Sequence, residues 1–153
     1  FSADTGASSP FVVLNGDSWV SQPLAPVLEE HGRLGREFTV VAVQAGQVEG
    51  EALKKGVWRI GPEREAIGFV TQESVVEGWV NAGCYVINHE MVSLWPKGAY
   101  SLEDNLPILL TGRRTGVYCS EGKLLDIGTT ENYLRAGEIL DQLQPLGSKG
   151  VPA

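Results

Sequence analysis

The chain has 153 residues, 42% of them hydrophobic and 20% charged, which is enough apolar material for one globular domain with its own core and too much for a disordered chain. Its formal net charge of -7, with no basic run to offset it, speaks against nucleic-acid backbones and anionic membranes as partners while leaving room for a local phosphate site. No apolar stretch is long enough to cross a bilayer as a helix, and the two cysteines, Cys84 and Cys119, sit inside apolar runs as small buried hydrophobes do, so a cytoplasmic protein is expected.

Residues 1–9 are small and polar without periodicity and read as a loop. Phe11 to Leu14 is continuously apolar and β-branched, the pattern of a strand buried on both faces, and it ends in Asn15-Gly16-Asp17. Pro23 to His31 carries Leu24, Val27 and Leu28 at helical spacing, with Gly32 placed to end the helix. Phe38 to Val43 is a second buried strand, and strand, helix, strand in this order predicts a right-handed crossover and a parallel sheet. Gln44 to Lys55 reads as a loop or an exposed helical turn. Val57 to Ile60 and Ile67 to Val70, separated by Gly61-Pro62-Glu63, predict a hairpin. Trp79 to Ile87 is a central strand, His89 to Leu94 a helical turn, Leu102 to Thr111 a helix broken or begun near Pro107, and Thr115 to Cys119 and Lys123 to Ile127 two more strands. Thr130 to Leu143 is an amphipathic helix with Tyr133, Leu134, Ile139 and Leu140 as its apolar stripe. The whole predicts a single α/β domain over 10–143, with a mixed, mainly parallel sheet flanked by helices and a flexible tail over 144–153.

Two aspartates stand where a strand delivers a side chain to a crevice. Asp17 follows the first strand, and Gly16 beside it permits a tight turn. Its carboxylate suits a hard cation such as Mg2+, although Asn-Gly-Asp is also an ordinary turn sequence. Asp126 lies in the apolar run Leu124-Leu125-Asp126-Ile127-Gly128-Thr129 just before a helix. A charge there either coordinates a metal or accepts hydrogen bonds from nearby backbone amides. Thr129 or Thr130 is the more natural helix cap, with Glu131 in the first turn, which leaves Asp126 for a ligand.

Four segments in order, Phe11-Val12-Val13-Leu14-Asn15-Gly16-Asp17-Ser18, Gly78-Trp79-Val80-Asn81-Ala82-Gly83-Cys84-Tyr85-Val86, Ser101-Leu102-Glu103, and Asp126-Ile127-Gly128-Thr129-Thr130-Glu131-Asn132-Tyr133-Leu134, resemble the sugar-1-phosphate nucleotidyltransferases. The resemblance extends from Pro10 to Leu140 and is nearest to guanylyltransferases acting on mannose or heptose 1-phosphates. It implies a partial Rossmann-like fold and in-line attack of a sugar-1-phosphate oxygen on the α-phosphorus of a nucleoside triphosphate, with pyrophosphate leaving. It also implies Mg2+ held by Asp17 and Asp126, with Asn81, Gly83, Glu103 and Gly56 facing the sugar. On the residues alone, Asn81 and Gly83 are better read as the entry to a strand, Glu103 as a solvated helix start and Gly56 as a turn.

The family's glycine-rich loop with its arginine, which wraps the triphosphate, has no counterpart before Asn15, so the chain is expected to be a carboxyl-terminal part that does not turn over alone. After the Ile67 to Val70 strand, where the family carries an acidic residue and a lysine, Thr71 and Gln72 stand instead. Lys54, Lys55 and Arg59 are the nearby cations. The expected ligands are a sugar 1-phosphate or a nucleotide-sugar, and the expected partners are a chain supplying the amino-terminal half and further copies in a homo-oligomer. A non-catalytic sugar-phosphate binding module and an oligomeric structural remnant are the alternative readings.

Overall fold

The computed structural model describes residues 9–49, 55–72, 77–95, 97–98, 101–102, 105–106 and 115–142. Chain order runs through strand β1 (Phe11–Leu14), strand β2 (Ser18–Val20), helix α1 (Leu24–Arg33), strand β3 (Phe38–Gln44) and a 3-10 turn (Ala45–Gln47) to strand β4 (Val48–Glu49). It continues with strands β5 (Lys55–Ile60), β6 (Ala66–Gln72) and β7 (Trp79–Ile87), a 3-10 turn (His89–Leu94), strands β8 (Thr115–Ser120) and β9 (Leu124–Asp126), and helix α2 (Thr130–Gln142). The predicted helix over 102–111 is described only at Leu102, Asn105 and Leu106; its remainder, with Glu103, lies outside the described residues.

The expected mixed α/β fold is found, with a difference in its balance. The main sheet is ordered β6-β5-β7-β3-β8 with β1 also beside β7, and among the described residues its only parallel neighbours are β3 and β8. Antiparallel pairs prevail because β7 enters between strands that run the other way: β1, β3 and β5 are all antiparallel to it. The predicted crossover is visible in modified form, since β1 and β3 run in the same direction but with β7 between them, both facing Cys84 to Ile87 in register. A smaller sheet, β2-β9-β4, lies beside the main one.

Continuous apolar runs in β3 and β7 follow from burial on both faces. Phe38, Val40 and Ala42 alternate with Val41 and Val43, and the two sets enter different clusters. One face packs with Trp58, Tyr85, Met91 and Leu106; the other with Val27 of α1 and Leu124 of β9. Full burial of each such side chain contributes about 1.5–3 kcal/mol. Helix α1 runs past Gly32 and is ended by Gly35, whose φ of 58° takes the chain out of the helix while its N–H donates to the Gly32 carbonyl at 3.1 Å.

Helix α2 departs from its predicted packing. Thr129 caps it as expected, its hydroxyl accepting the Asn132 N–H at 3.1 Å. Yet Tyr133 and Leu134 are 65% and 75% exposed, Leu140 is exposed as well, and the buried side chain of the first turns is Asn132. Sequence periodicity defines a stripe but not what it meets, and here only Ile139 of that stripe is half-buried while its other three side chains are exposed. Both cysteines are unpaired thiols; burial pushes Cys84 up to about 11 and raises Cys119 too, so neither is a ready nucleophile. Among the described residues no helix is long and apolar enough to cross a membrane.

Candidate functional site

The small sheet brings the two aspartates together. In the antiparallel pair of β2 and β9, Ser18 lies opposite Asp126, so Asp17 at the head of β2 meets the end of β9. The Asp17 carbonyl accepts the Ile127 N–H at 2.8 Å, which joins the two segments where the carboxylates emerge. A Cβ placed on Gly128 would lie 3.0 Å from Asp126 Oδ1 and 3.3 Å from Asp17 Oδ2. Both carboxylates therefore border one small space, kept open because residue 128 has no side chain.

Asp17 is exposed and Asp126 is half-buried. Asp17 Oδ1 accepts the Ser18 hydroxyl at 3.2 Å, and Asp126 Oδ1 accepts the Gly128 N–H at 2.7 Å. These bonds orient each carboxylate, and a carboxylate oxygen can accept more than one contact. Among the described residues no group of three or more histidine, cysteine, aspartate or glutamate side chains can hold a metal. Two oxygen ligands at a solvent-facing gap fit Mg2+, which characteristically takes one or two carboxylates and fills its shell with waters and substrate phosphates.

The other candidates divide between this site and its surroundings. Gly83 belongs to a bulge in β7, where the partner of Val41 is Cys84 but that of Ala42 is Asn81, leaving Ala82 and Gly83 without partners in β3. The bulge turns Gly83 toward the Asp17 turn, and Asn15 N–H donates to its carbonyl at 2.8 Å. Asn81 is half-buried, with Nδ2 donating to Tyr85 Oη at 2.7 Å and Oδ1 accepting the Gly83 N–H at 3.4 Å. Gly56 lies in β5 opposite Thr71, and the place of its missing Cβ is taken by the Phe69 ring. The side chains of Lys54, Lys55 and Gln72 are outside the described residues.

A hollow of about 300 Å³ lined by Gln44, Ala45, Gly46, Glu77, Gly78 and Trp79 opens at the carboxyl end of β3, and neither aspartate lines it. Gly128 and Asn15 are functional candidates that the sequence reading passed over. The signal for Gly128 was present, since a glycine two residues after a strand-end aspartate is well placed to turn its N–H back onto that carboxylate.

The sequence model of the nucleotidyl transferase family matches residues 2–142. The chain belongs to that family. Among curated relatives of the chain, the mannose-1-phosphate guanyltransferase of Pichia angusta is 30% identical over 133 residues, covering 83% of this chain and 35% of the relative. That of Saccharomyces cerevisiae is 29% identical over 137 residues, covering 87% and 37%. The chain thus spans about a third of the length of these relatives. Among solved structures, HddC from Yersinia pseudotuberculosis shares the fold with a TM-score of 0.69 at 21% identity, covering 87% of this chain and 56% of HddC. Its complex with GMP-PN gives 0.70 at 22% identity.

Proposed function

We propose that this chain supplies the metal-binding and sugar-phosphate side of a sugar-1-phosphate nucleotidyltransferase site, where a sugar-1-phosphate oxygen attacks the α-phosphorus of a nucleoside triphosphate and pyrophosphate leaves. The observation that carries this is the convergence of Asp17 and Asp126 over Gly128 from segments more than a hundred residues apart in sequence. Mg2+ bound there would neutralise phosphate charge, and no covalent enzyme intermediate is required. Asp17 and Asp126 hold the metal, while Asn81, Gly83, Gly56 and Glu103 form the sugar-facing side. Residues 1–14 contain neither lysine nor arginine and so offer no cationic grip on a triphosphate, and the chain spans about a third of the length of its curated relatives, so we expect no turnover from this stretch alone. We also place the protein in the cytoplasm, as a homo-oligomer.

The named relatives support GTP and mannose 1-phosphate as the first substrates to test. Calorimetry of the pure chain against mannose 1-phosphate and GDP-mannose should show binding that strengthens with Mg2+. Asp17→Asn and Asp126→Asn should each weaken the Mg2+-dependent part by about tenfold or more. Pyrophosphate release from GTP and mannose 1-phosphate should stay at background; turnover by the pure chain would overturn the claim of inactivity alone. A second reading, a non-catalytic binding module, is favoured by exposed Thr71, a neutral residue where the family resemblance expects charge. It predicts that the pure chain binds the same ligands and that supplying a triphosphate-binding segment in trans yields no pyrophosphate release.

A further inference from the structure

The turn that carries Asp17 is held at both ends, and the unusual backbone lies in the strand beneath it. Gly16 makes no demand: its φ is not positive, and a Cβ there would meet nothing within 4 Å. The demand falls on Gly83, whose φ of 66° lies in the left-handed region. A Cβ on Gly83 would come within 2.8 Å of Asn15 Cγ and Nδ2, so the Asn15 side chain occupies the space that the glycine leaves. Asn15 N–H donates to the Gly83 carbonyl at 2.8 Å, and two residues on the Asp17 carbonyl accepts the Ile127 N–H at the same distance. The turn is therefore pinned to the β7 bulge through Asn15 and to the Asp126 segment through Asp17.

We propose that Asn15 and Gly83 are positioning residues that set the placement of Asp17 against Asp126. In its consequence for metal binding this rests on the proposed role of the two aspartates. Ligands need to be held to within about 0.5 Å of their working geometry, and a turn pinned at only one end would not do this. The bulge supplies the second pin. Its two extra residues preserve the side-chain alternation of β7, with Val80 before it, Ala82 within it and Cys84 and Val86 after it all in one cluster, so Gly83 turns toward Asn15 without disturbing the core.

The experiment reads amide hydrogen exchange in the full chain without metal, then Mn2+ affinity by electron paramagnetic resonance. Gly83→Ala should speed exchange at the Ile127 amide by about tenfold while the Val40 to Val43 amides hold their rates. Adding Asn15→Gly should clear the space for the new methyl and recover at least about half of that change on a logarithmic scale. Gly16→Ala should leave Ile127 within about twofold of wild type. If Gly83→Ala does not fold, Asn15→Ala, which removes the packing side chain and inserts nothing, should move Ile127 in the same direction. Unchanged Ile127 exchange in whichever of these two variants folds, or a Gly83→Ala effect that Asn15→Gly does not relieve, overturns the positioning role. Mn2+ affinity should fall by about fivefold in Gly83→Ala and recover in the double variant. Mn2+ binding that Asp17→Asn leaves unchanged would instead sink the metal reading, with the exchange data still deciding the clamp.

Discussion

His31 is buried where α1 meets the main sheet, with Nδ1 2.8 Å from Thr39 Oγ1 and Nε2 2.9 Å from Asn88 Oδ1. The Asn88 amide is oriented by donation from its Nδ2 to the Arg36 carbonyl at 3.2 Å, so its oxygen faces the imidazole. Nε2 therefore donates, and Nδ1 accepts the Thr39 hydroxyl in the neutral ring. Burial lowers the pKa below 6.5, with the Asn88 hydrogen bond pulling the other way. Because the unfolded chain binds the proton more readily, the stability from His31 is fully present above about pH 6.5 and is lost as pH falls through the folded pKa. Urea midpoints taken at about pH 8 and about pH 5 should drop further for wild type than for His31→Gln. Equal drops would remove His31 from the acid response. Gly128 gives a second test at this scale. A methyl 3.0 Å from Asp126 Oδ1 and 3.3 Å from Asp17 Oδ2 crowds both carboxylates, so Gly128→Ala should weaken Mg2+ binding by about fivefold or more while changing the melting temperature little.

Among the elements, β7 appears with the bounds its apolar run predicts, Trp79 to Ile87, because its neighbours bury it from both sides. The hairpin was legible too, and pairing extends it to Lys55–Ile60 against Ala66–Gln72. Strands β2 and β4 were not: at three and two residues they carry no period, and they exist because β9 offers both of its edges. Asp17 and Asp126 could be named from strand-end positions and their meeting was expected from the family resemblance, but the β2–β9 pairing that produces it leaves no period in the sequence. Gly56 shows the same limit, since a glycine in a strand reads as a turn until the ring above it is seen. The Phe69 ring lies over Gly56 and packs against Trp58 at 4.6 Å between centroids. Gly56→Ala should drive Phe69 off this contact and lower stability by about 1–3 kcal/mol, measured as a fall in urea midpoint. An unchanged midpoint would mean that the ring moves aside at no cost.

At the scale of the molecule, apolar surface is distributed in a way the predicted amphipathic helix did not anticipate. Tyr133 and Leu134 stand out from α2 at 65% and 75% exposure, and Leu14 at the end of β1 is 59% exposed. Among the described residues β1 pairs on one edge only, with β7. Exposed apolar side chains and an open strand edge both lower the free energy of association, whether the partner is another copy or a different chain. For the pure chain the available partner is itself, so sedimentation velocity should show dimers or larger species that increase with concentration. The leading contributor is α2, because a helix side chain three-quarters exposed loses little on folding and gains its burial only on association. Leu134→Glu should therefore shift the distribution toward monomer while leaving the thermal midpoint of the monomer within about 2 °C of wild type. A wild-type chain that stays monomeric across the concentration range would show that the face is tolerated in water. A variant that associates as strongly as wild type would move the interface away from α2, leaving the open edge of β1 to be tested by placing a lysine at Val12 or Leu14.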